Sequence, residues 1–303
     1  MPNAAPRPWR MFLPLGIVLI LALFWSIYWF VASGAAQDRF SKERAALAAQ
    51  GMTLVCSGES WAGYPFHFEF TCTSPVLTYG SKAEVRFSKL LLVALAYAPS
   101  QVAALIDGPT SFTAPGSAPM SITHQRALAA VTFGANGQFS ISAELPAASV
   151  PGLGEATKLL LFTKPSSAGG TDLAMQGTGV TYQPPGSPAI HIDDGTMQGT
   201  LQADQTFKLD RFELHQGQLA YWGSGTLALD PQHRPSGQIN TETNDAKAML
   251  SIAGPQLGLS DSKLASLRSM LGLLGSDAKA PIIAKDGVLF LGPFQIAELK
   301  PLY

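Results

Sequence analysis

With 303 residues the chain is long enough to bury a sizeable core, in one large domain or two modest ones. Hydrophobic residues make up 47% and charged ones only 14%, where soluble domains usually carry about a quarter. A formal net charge of -1 and the absence of any basic run argue against a nucleic-acid partner, because neutralising phosphates takes a Lys/Arg footprint.

Met11 to Gln37 contains no charged residue. A bilayer core takes about 20 apolar helical residues, and this segment supplies them. Arg7 and Arg10 precede it, and the mixed cluster Asp38, Arg39, Lys42, Glu43 and Arg44 follows. The excess of positive charge before the segment predicts a cytoplasmic N-terminus and a body on the far side. Trp25, Tyr28 and Trp29 stand where an aromatic belt would lie. A cleaved signal peptide is the competing reading, since Ala32-Ser33-Gly34 is a small-residue sequence of the kind that is cut. The run outlasts an ordinary signal h-region of about 7–15 residues, which favours an uncleaved anchor. The expected organisation is a cytoplasmic tail (1–10), a transmembrane helix (11–33), a juxtamembrane helix (34–50) and a β-rich body (51–303). Gly51 is the expected helix stop.

The only cysteines, Cys56 and Cys72, bracket an aromatic stretch, "CSGESWAGYPFHFEFTC". On the far side of the membrane the compartment is oxidising, so a structural disulfide is the simplest reading. Phe66, Phe68, Phe70 and Cys72 alternate with His67, Glu69 and Thr71, the period-two signature of a half-buried strand. Leu54 and Cys56 share one face of an earlier strand, and "SGESWAGYP" reads as the loop between the two. Trp61, Gly63, Tyr64, Pro65 and Phe66 form the turn and its aromatic surround. A zinc site is a weaker reading, since only His67 lies near, and a catalytic thiol finds no base in this apolar setting.

Beyond this the chain is mostly strands divided by turns. "LLLVALAYA" (90–98) is too short to span and reads as a buried strand. Gly134-Ala135-Asn136-Gly137 is a hairpin turn, and Asp230–Pro235 turns one strand back into Gly237–Thr243. "TKPSSAGGTD" (163–172) and "YQPPGSPA" (182–189) read as surface loops. Helix is expected again near 245–275. Asn244 or Asp245 caps the first run, and Ser260 or Asp261 caps a second with the stripe Leu264, Leu267, Met270, Leu271 and Leu274. "GVLFLGPFQIAEL" reads as a terminal hairpin. The fold class is therefore mainly β (α+β): an N-terminal transmembrane helix, then a long, curved antiparallel sheet with a helical segment near 245–275.

Motifs for chemistry are sparse. The histidines lack metal-ligand spacing, and His191-Ile-Asp-Asp194 reads better as a strand-end turn than as a cation site. Gly152-Leu-Gly154 lacks the context of a dinucleotide loop, and no Gly-x-Ser-x-Gly elbow or Walker loop occurs. Trp61 and Trp222 are expected to pack rather than to stack on a ligand. The expectation is no cofactor, no metal and no catalysis.

Three stretches carry a resemblance: Trp61 to Cys72, "GSGTLALDPQHRPSGQI" (223–239) and the ending "DGVLFLGPFQIAELKPLY" (286–303). Together with the anchor, and in this order, they resemble a bacterial envelope family, domain of unknown function 2125, found chiefly in alphaproteobacteria. The family's ending usually reads toward Pro-Pro-Leu, and Lys300-Pro301-Leu302 departs from it. The resemblance implies a single-pass inner-membrane anchor with a periplasmic body, and no assigned activity. The functional expectation is a non-catalytic structural or interaction protein of the envelope, partnered by the membrane and by an envelope protein. The alternative is a lipid-handling β-groove scaffold, similar in organisation to AsmA-like proteins, that takes phospholipid; a hydrolase is more remote.

Overall fold

The computed structural model describes residues 9–80, 83–116, 118–134, 137–183, 186–256, 262, 264–266, 268–269 and 278–301. It is mainly β, with a long apolar N-terminal helix, antiparallel sheets and a short second helix. Helix α1 (Trp9–Ala49) is unbroken and covers both expected helical segments, 11–33 and 34–50. Its Phe12–Ala49 part, with a mean hydropathy of 2.3 in its apolar window, is long and apolar enough to cross a membrane. The helix stops where Gly51 adopts φ 85°, a left-handed value that glycine takes without Cβ strain; its N–H donates to Ala48 O at 3.0 Å.

Where the sequence suggests one stretch from 51 to 303, the chain forms two compact units. The first holds Met1–Ala104 with Phe112–Pro119, the second Leu105–Ser111 with Met120–Tyr303. In the first, the strands are β1 (Met52–Val55), β2 (Gly58–Ala62), β3 (His67–Thr73), β4 (Val76–Tyr79), β5 (Ala83–Arg86) and β6 (Lys89–Leu95). Antiparallel ladders join β1 to β4 and β4 to β5, and separately β2 to β3 and β3 to β6. α1 packs on the second group, burying Trp29 against Phe68 and Ala96, with Trp25, Ala32 and Ala94 around them. Higher on the helix, Phe40 meets Phe70 with ring centroids 4.6 Å apart. The alternation seen in the sequence explains this contact, because Phe68, Phe70 and Cys72 are the buried positions of β3.

β7 (Ala98–Asp107), β8 (Thr110–Thr113) and β9 (Met120–Ile122) follow. The second unit is then an antiparallel meander: β10 (Ala127–Phe133), β11 (Phe139–Val150), β12 (Gly154–Pro165), β13 (Thr171–Tyr182), β14 (Ile190–Leu201), β15 (Phe207–Gln216), β16 (Leu219–Leu229) and β17 (Pro235–Thr243). It closes with α2 (Ala246–Gln256), β18 (Ala278–Lys285), β19 (Val288–Leu291) and β20 (Phe294–Glu298). Each strand from β10 to β19 pairs with its successor. Positive φ at Ala147 (50°) and Gly179 (57°), with register shifts at Gln198/Gly199 and Leu209/Phe212, bends the strands locally.

β10 and β11 pair where the hairpin is expected, with Gly134 N–H donating to Gln138 O at 2.7 Å; Ala135 and Asn136 of the turn lie outside the described residues. Half of the expected loop 163–172 is strand: β12 runs to Pro165 and β13 starts at Thr171, leaving a tight turn closed by Ser166 N–H to Gly170 O at 3.1 Å. Asp245 caps α2, its Oδ1 accepting from Lys247 N–H (3.1 Å) and Ala248 N–H (2.9 Å). Of the second expected helix, from Ser260 or Asp261 to Leu274, residues 262, 264–266 and 268–269 are described and helical, and the others lie outside the described residues.

Candidate functional site

Cys56 and Cys72 form a disulfide with Cα atoms 5.4 Å apart, and Cys72 is fully buried. The bond joins the residue after β1 to β3. The stretch between the cysteines is not a simple loop, because Gly58–Ala62 is strand β2 and pairs with β3. The turn proper is Gly63–Phe66, where the N–H groups of Phe66 and His67 both donate to Gly63 O. Gly63 has φ 109°, and a Cβ there would lie 2.8 Å from the His67 ring. Trp61 packs on Phe40 and Phe70, at 5.6 and 5.0 Å between ring centroids, so it is a packing residue. Pro65 O accepts a hydrogen bond from Trp25 Nε1 at 2.8 Å, while Tyr64 and Phe66 remain exposed. These landmarks meet on α1, where Tyr64 OH also shares a hydrogen bond with Ser26 Oγ at 2.7 Å.

The other candidates disperse. His191 and Asp193 lie within β14, with His191 Nε2 3.1 Å from Asp193 Oδ1, and the Asp193 carboxylate caps Gly217 N–H at 2.6 Å. Among the described residues no three His, Cys, Asp or Glu side chains gather as metal ligands. Gly152 and Gly154 belong to the β11–β12 turn.

A different feature emerges from the register of the second unit. One cross-strand row reads Ala143, Leu161, Met175, Met197, Phe212, Gly223, Thr241 and Ala280. Two residues along, the row is Ile141, Thr163, Leu173, Gly199, Leu209, Gly225, Ile239 and Ile282. On the other side it is Leu145, Leu159, Gly177, Gly195, Leu214, Tyr221, Thr243 and Ala278. Side chains two apart share a face of a sheet, so these rows make one surface without a charged residue. Its large side chains are not sealed in a core: Leu159 is 37% exposed and Met175 45%.

At two glycines of this surface a neighbour's side chain covers the strand. A Cβ at Gly199 would meet the Phe207 ring at 2.7 Å, and one at Gly195 would meet Leu214 Cδ2 at 2.8 Å. At one end α2 lies over the face and leaves an apolar cavity of about 230 Å³ among Ile190, Ile192, Leu214, Tyr221, Met249, Ile252 and Ala253. Burial here pushes the Tyr221 phenol above its ordinary pKa, so it stays neutral.

The opposite face carries the charge. Lys158 pairs with Glu144 at 3.0 Å, Lys208 with Asp210 at 3.0 Å and Lys279 with Glu242 at 2.8 Å. Glu213 accepts from Arg211 and from His215, and these bonds hold its carboxyl below the usual range. Bonds from Ser166 and Thr200 do the same for Asp172. A shallow hollow of about 620 Å³ on this face is lined by Lys164, Asp172, Gln198, Thr200 and Asp210 among others.

A family model described as an uncharacterized protein conserved in bacteria, domain of unknown function 2125, matches residues 29–193 and 191–300. The chain belongs to this family. No curated protein and no solved structure matches it. The stretches that carried the resemblance to the family now have structural content. The first is the β2–β3 hairpin. The second is the β16–β17 hairpin, whose turn is closed by Asp230: its Oδ1 accepts from the N–H groups of Gln232 and Arg234, both at 2.9 Å, and its Oδ2 accepts from Arg234 Nε at 2.7 Å. The third contains Gly287, where a Cβ would lie 2.6 Å from Arg234 Nη1, so the second and third touch.

The uncharged surface was missed in the sequence as a unit. Its signal was present in β12, where Leu159 and Leu161 alternate with Lys158, Leu160, Phe162 and Lys164, but Leu160 and Phe162 blur the period.

Proposed function

We propose that this family member is a membrane-anchored, non-catalytic envelope protein whose second unit handles lipid, taking acyl chains on the uncharged face of its sheet. The observation that carries the reading is the set of cross-strand rows running from β11 to β18 without a charge. At roughly 4.8 Å between strands, seven steps make a stripe about 34 Å long, comparable to an extended acyl chain or longer. Soluble monomers rarely leave so large an apolar surface open, and such surfaces mark ligand or partner sites. An acyl chain is the occupant that fits best, because it asks for apolar contact along its whole length and for no hydrogen bonds. The α2 cavity offers one end of the stripe a lined recess. In this reading α1 crosses the inner membrane with Arg7 and Arg10 on the cytoplasmic side and the body in the periplasm. An alkaline phosphatase fused to the C-terminus should be active in cells, and an inactive fusion contradicts that topology.

The test of lipid handling compares phospholipid retained by the full chain with that retained by the Met175→Glu, Met197→Glu double variant. These residues are direct cross-strand partners on the uncharged face. The reading expects a loss of phospholipid in the double variant and none in Gln176→Glu on the opposite face. Equal retention in all three contradicts it.

A protein-interaction role is the second reading, and one observation favours it. α2 already lies on this face through Met249, Ile252 and Ala253, which shows that an apolar helix fits there. A partner helix would exclude lipid from the same rows.

A further inference from the structure

The two turns nearest the lower part of α1 carry exposed aromatics and unusually well-satisfied backbone carbonyls. Tyr64 is 53% exposed, Phe66 62% and Tyr97 68%. Beneath them Trp25 Nε1 donates to Pro65 O (2.8 Å), Tyr28 OH to Ala96 O (2.8 Å) and Trp29 Nε1 to His67 O (3.1 Å). Ala96 N–H donates to Phe66 O at 2.9 Å and ties the two turns together.

Their depth follows from the helix. Arg10 and Asp38 are the charges that bound the apolar segment. Counted from Arg10 at about 1.5 Å per residue, a hydrocarbon core of roughly 30 Å ends near Phe30. Trp25, Tyr28 and Trp29 then lie in the last turns of α1 before the core's boundary on the body's side. Whatever those side chains bond to shares their depth. Irregular backbone is tolerated at such depth only where its polar groups are bonded, and aromatic side chains are the ones that prefer the interface.

We infer that the β2–β3 turn and the turn after β6 insert into the interfacial layer of the leaflet on the body's side, with Tyr64, Phe66 and Tyr97 in contact with lipid. His67 and Glu69, 3.4 Å apart, limit the insertion to the headgroup region, since ionisable side chains do not go deeper cheaply. The first unit is thereby seated in the membrane surface as well as tethered to it. This rests on the reading of α1 as a membrane span.

The test places a single fluorophore on the full chain in phosphatidylcholine–phosphatidylglycerol vesicles, through Phe66→Cys or Tyr97→Cys. Among the described residues there is no free thiol to compete. Ile20→Cys reports on the span, and Tyr79→Cys, an exposed position on β4, serves as the aqueous control. The inference expects labels at 66 and 97 to lose fluorescence to lipids bearing a nitroxide near the headgroup and to be shielded from iodide. The label at 79 should behave in the opposite way. Iodide quenching at 66 and 97, with the label at 20 quenched by a nitroxide near the chain ends, overturns the insertion and leaves the span intact. Absence of lipid quenching at 20 overturns the span and the insertion together.

Discussion

The ring of Phe212 stands directly across the β15–β16 ladder from Gly223 and occupies the space a side chain there would need. A Cβ at 223 would lie 2.7 Å from Phe212 Cε1 and 2.6 Å from Asn240 O. Both residues belong to the uncharged face, so a large side chain covers the strand where its partner has none. Gly223→Val should destabilise the second unit by about 1–3 kcal/mol through overpacking. Ser224→Ala, exposed on the other face, should leave the thermal midpoint nearly unchanged. A midpoint for Gly223→Val equal to wild type would show that the ring moves freely and that the packing described is not a constraint.

The disulfide gives a second, local prediction. Cys56→Ala and Cys72→Ala should each destabilise the first unit by about 2–4 kcal/mol, because the loss of one covalent tie frees the same unfolded chain. The double variant should cost little more than either single one, since one bond cannot be lost twice. Chemical denaturation of the full chain checks both statements. Additive losses would mean that each cysteine contributes separately through its packing.

Trp29 makes the joint between anchor and body, buried on Phe68 and bonded to His67 O. Truncation to Ala removes that packing and leaves the carbonyl unpaired, which should cost about 3–5 kcal/mol of docking. Limited proteolysis should then cut faster between α1 and β3 than in wild type. Unchanged cleavage would contradict a docked helix.

Acid should loosen the charged face of the second unit. Glu213 and Asp172 have folded-state pKa values below those of the unfolded chain. Their contribution is therefore complete above the unfolded carboxylate range and is lost as pH falls through the lowered folded values. Thermal midpoints should drop below about pH 4–5, and Glu213→Gln should flatten part of that drop. Both groups face solvent, so the effect is modest and weakened by salt. A steeper acid loss in the variant than in wild type would reverse the assigned sign.

Much of the architecture was legible because single residues report on it locally. Phe68, Phe70 and Cys72 announced β3, while Phe66, which shares their spacing, lies in the turn before it; Gly51 announced the end of α1 and Asp245 the start of α2. The connection read as a loop over 163–172 hid two strand ends, since Lys164 and Pro165 carry weak strand propensity and their ladder with Asp172 and Thr171 holds them extended. The uncharged face was harder still. Its rows depend on register between strands, and glycines such as Gly177, Gly195 and Gly199 belong to it without adding hydrophobic signal. The division into two units had no signal in composition, because the low charge runs through both.

Lipid on the uncharged face is the central claim, and site-specific photocrosslinking in cells tests it most directly. A benzophenone amino acid replaces Met175 in one variant of the full chain and its neighbour Gln176, on the opposite face, in another. Mass spectrometry of the purified chains then reads the adducts. The account predicts phospholipid or fatty-acyl adducts at 175 and none at 176. Adducts with a protein at 175, or lipid adducts equal at both positions, would contradict it.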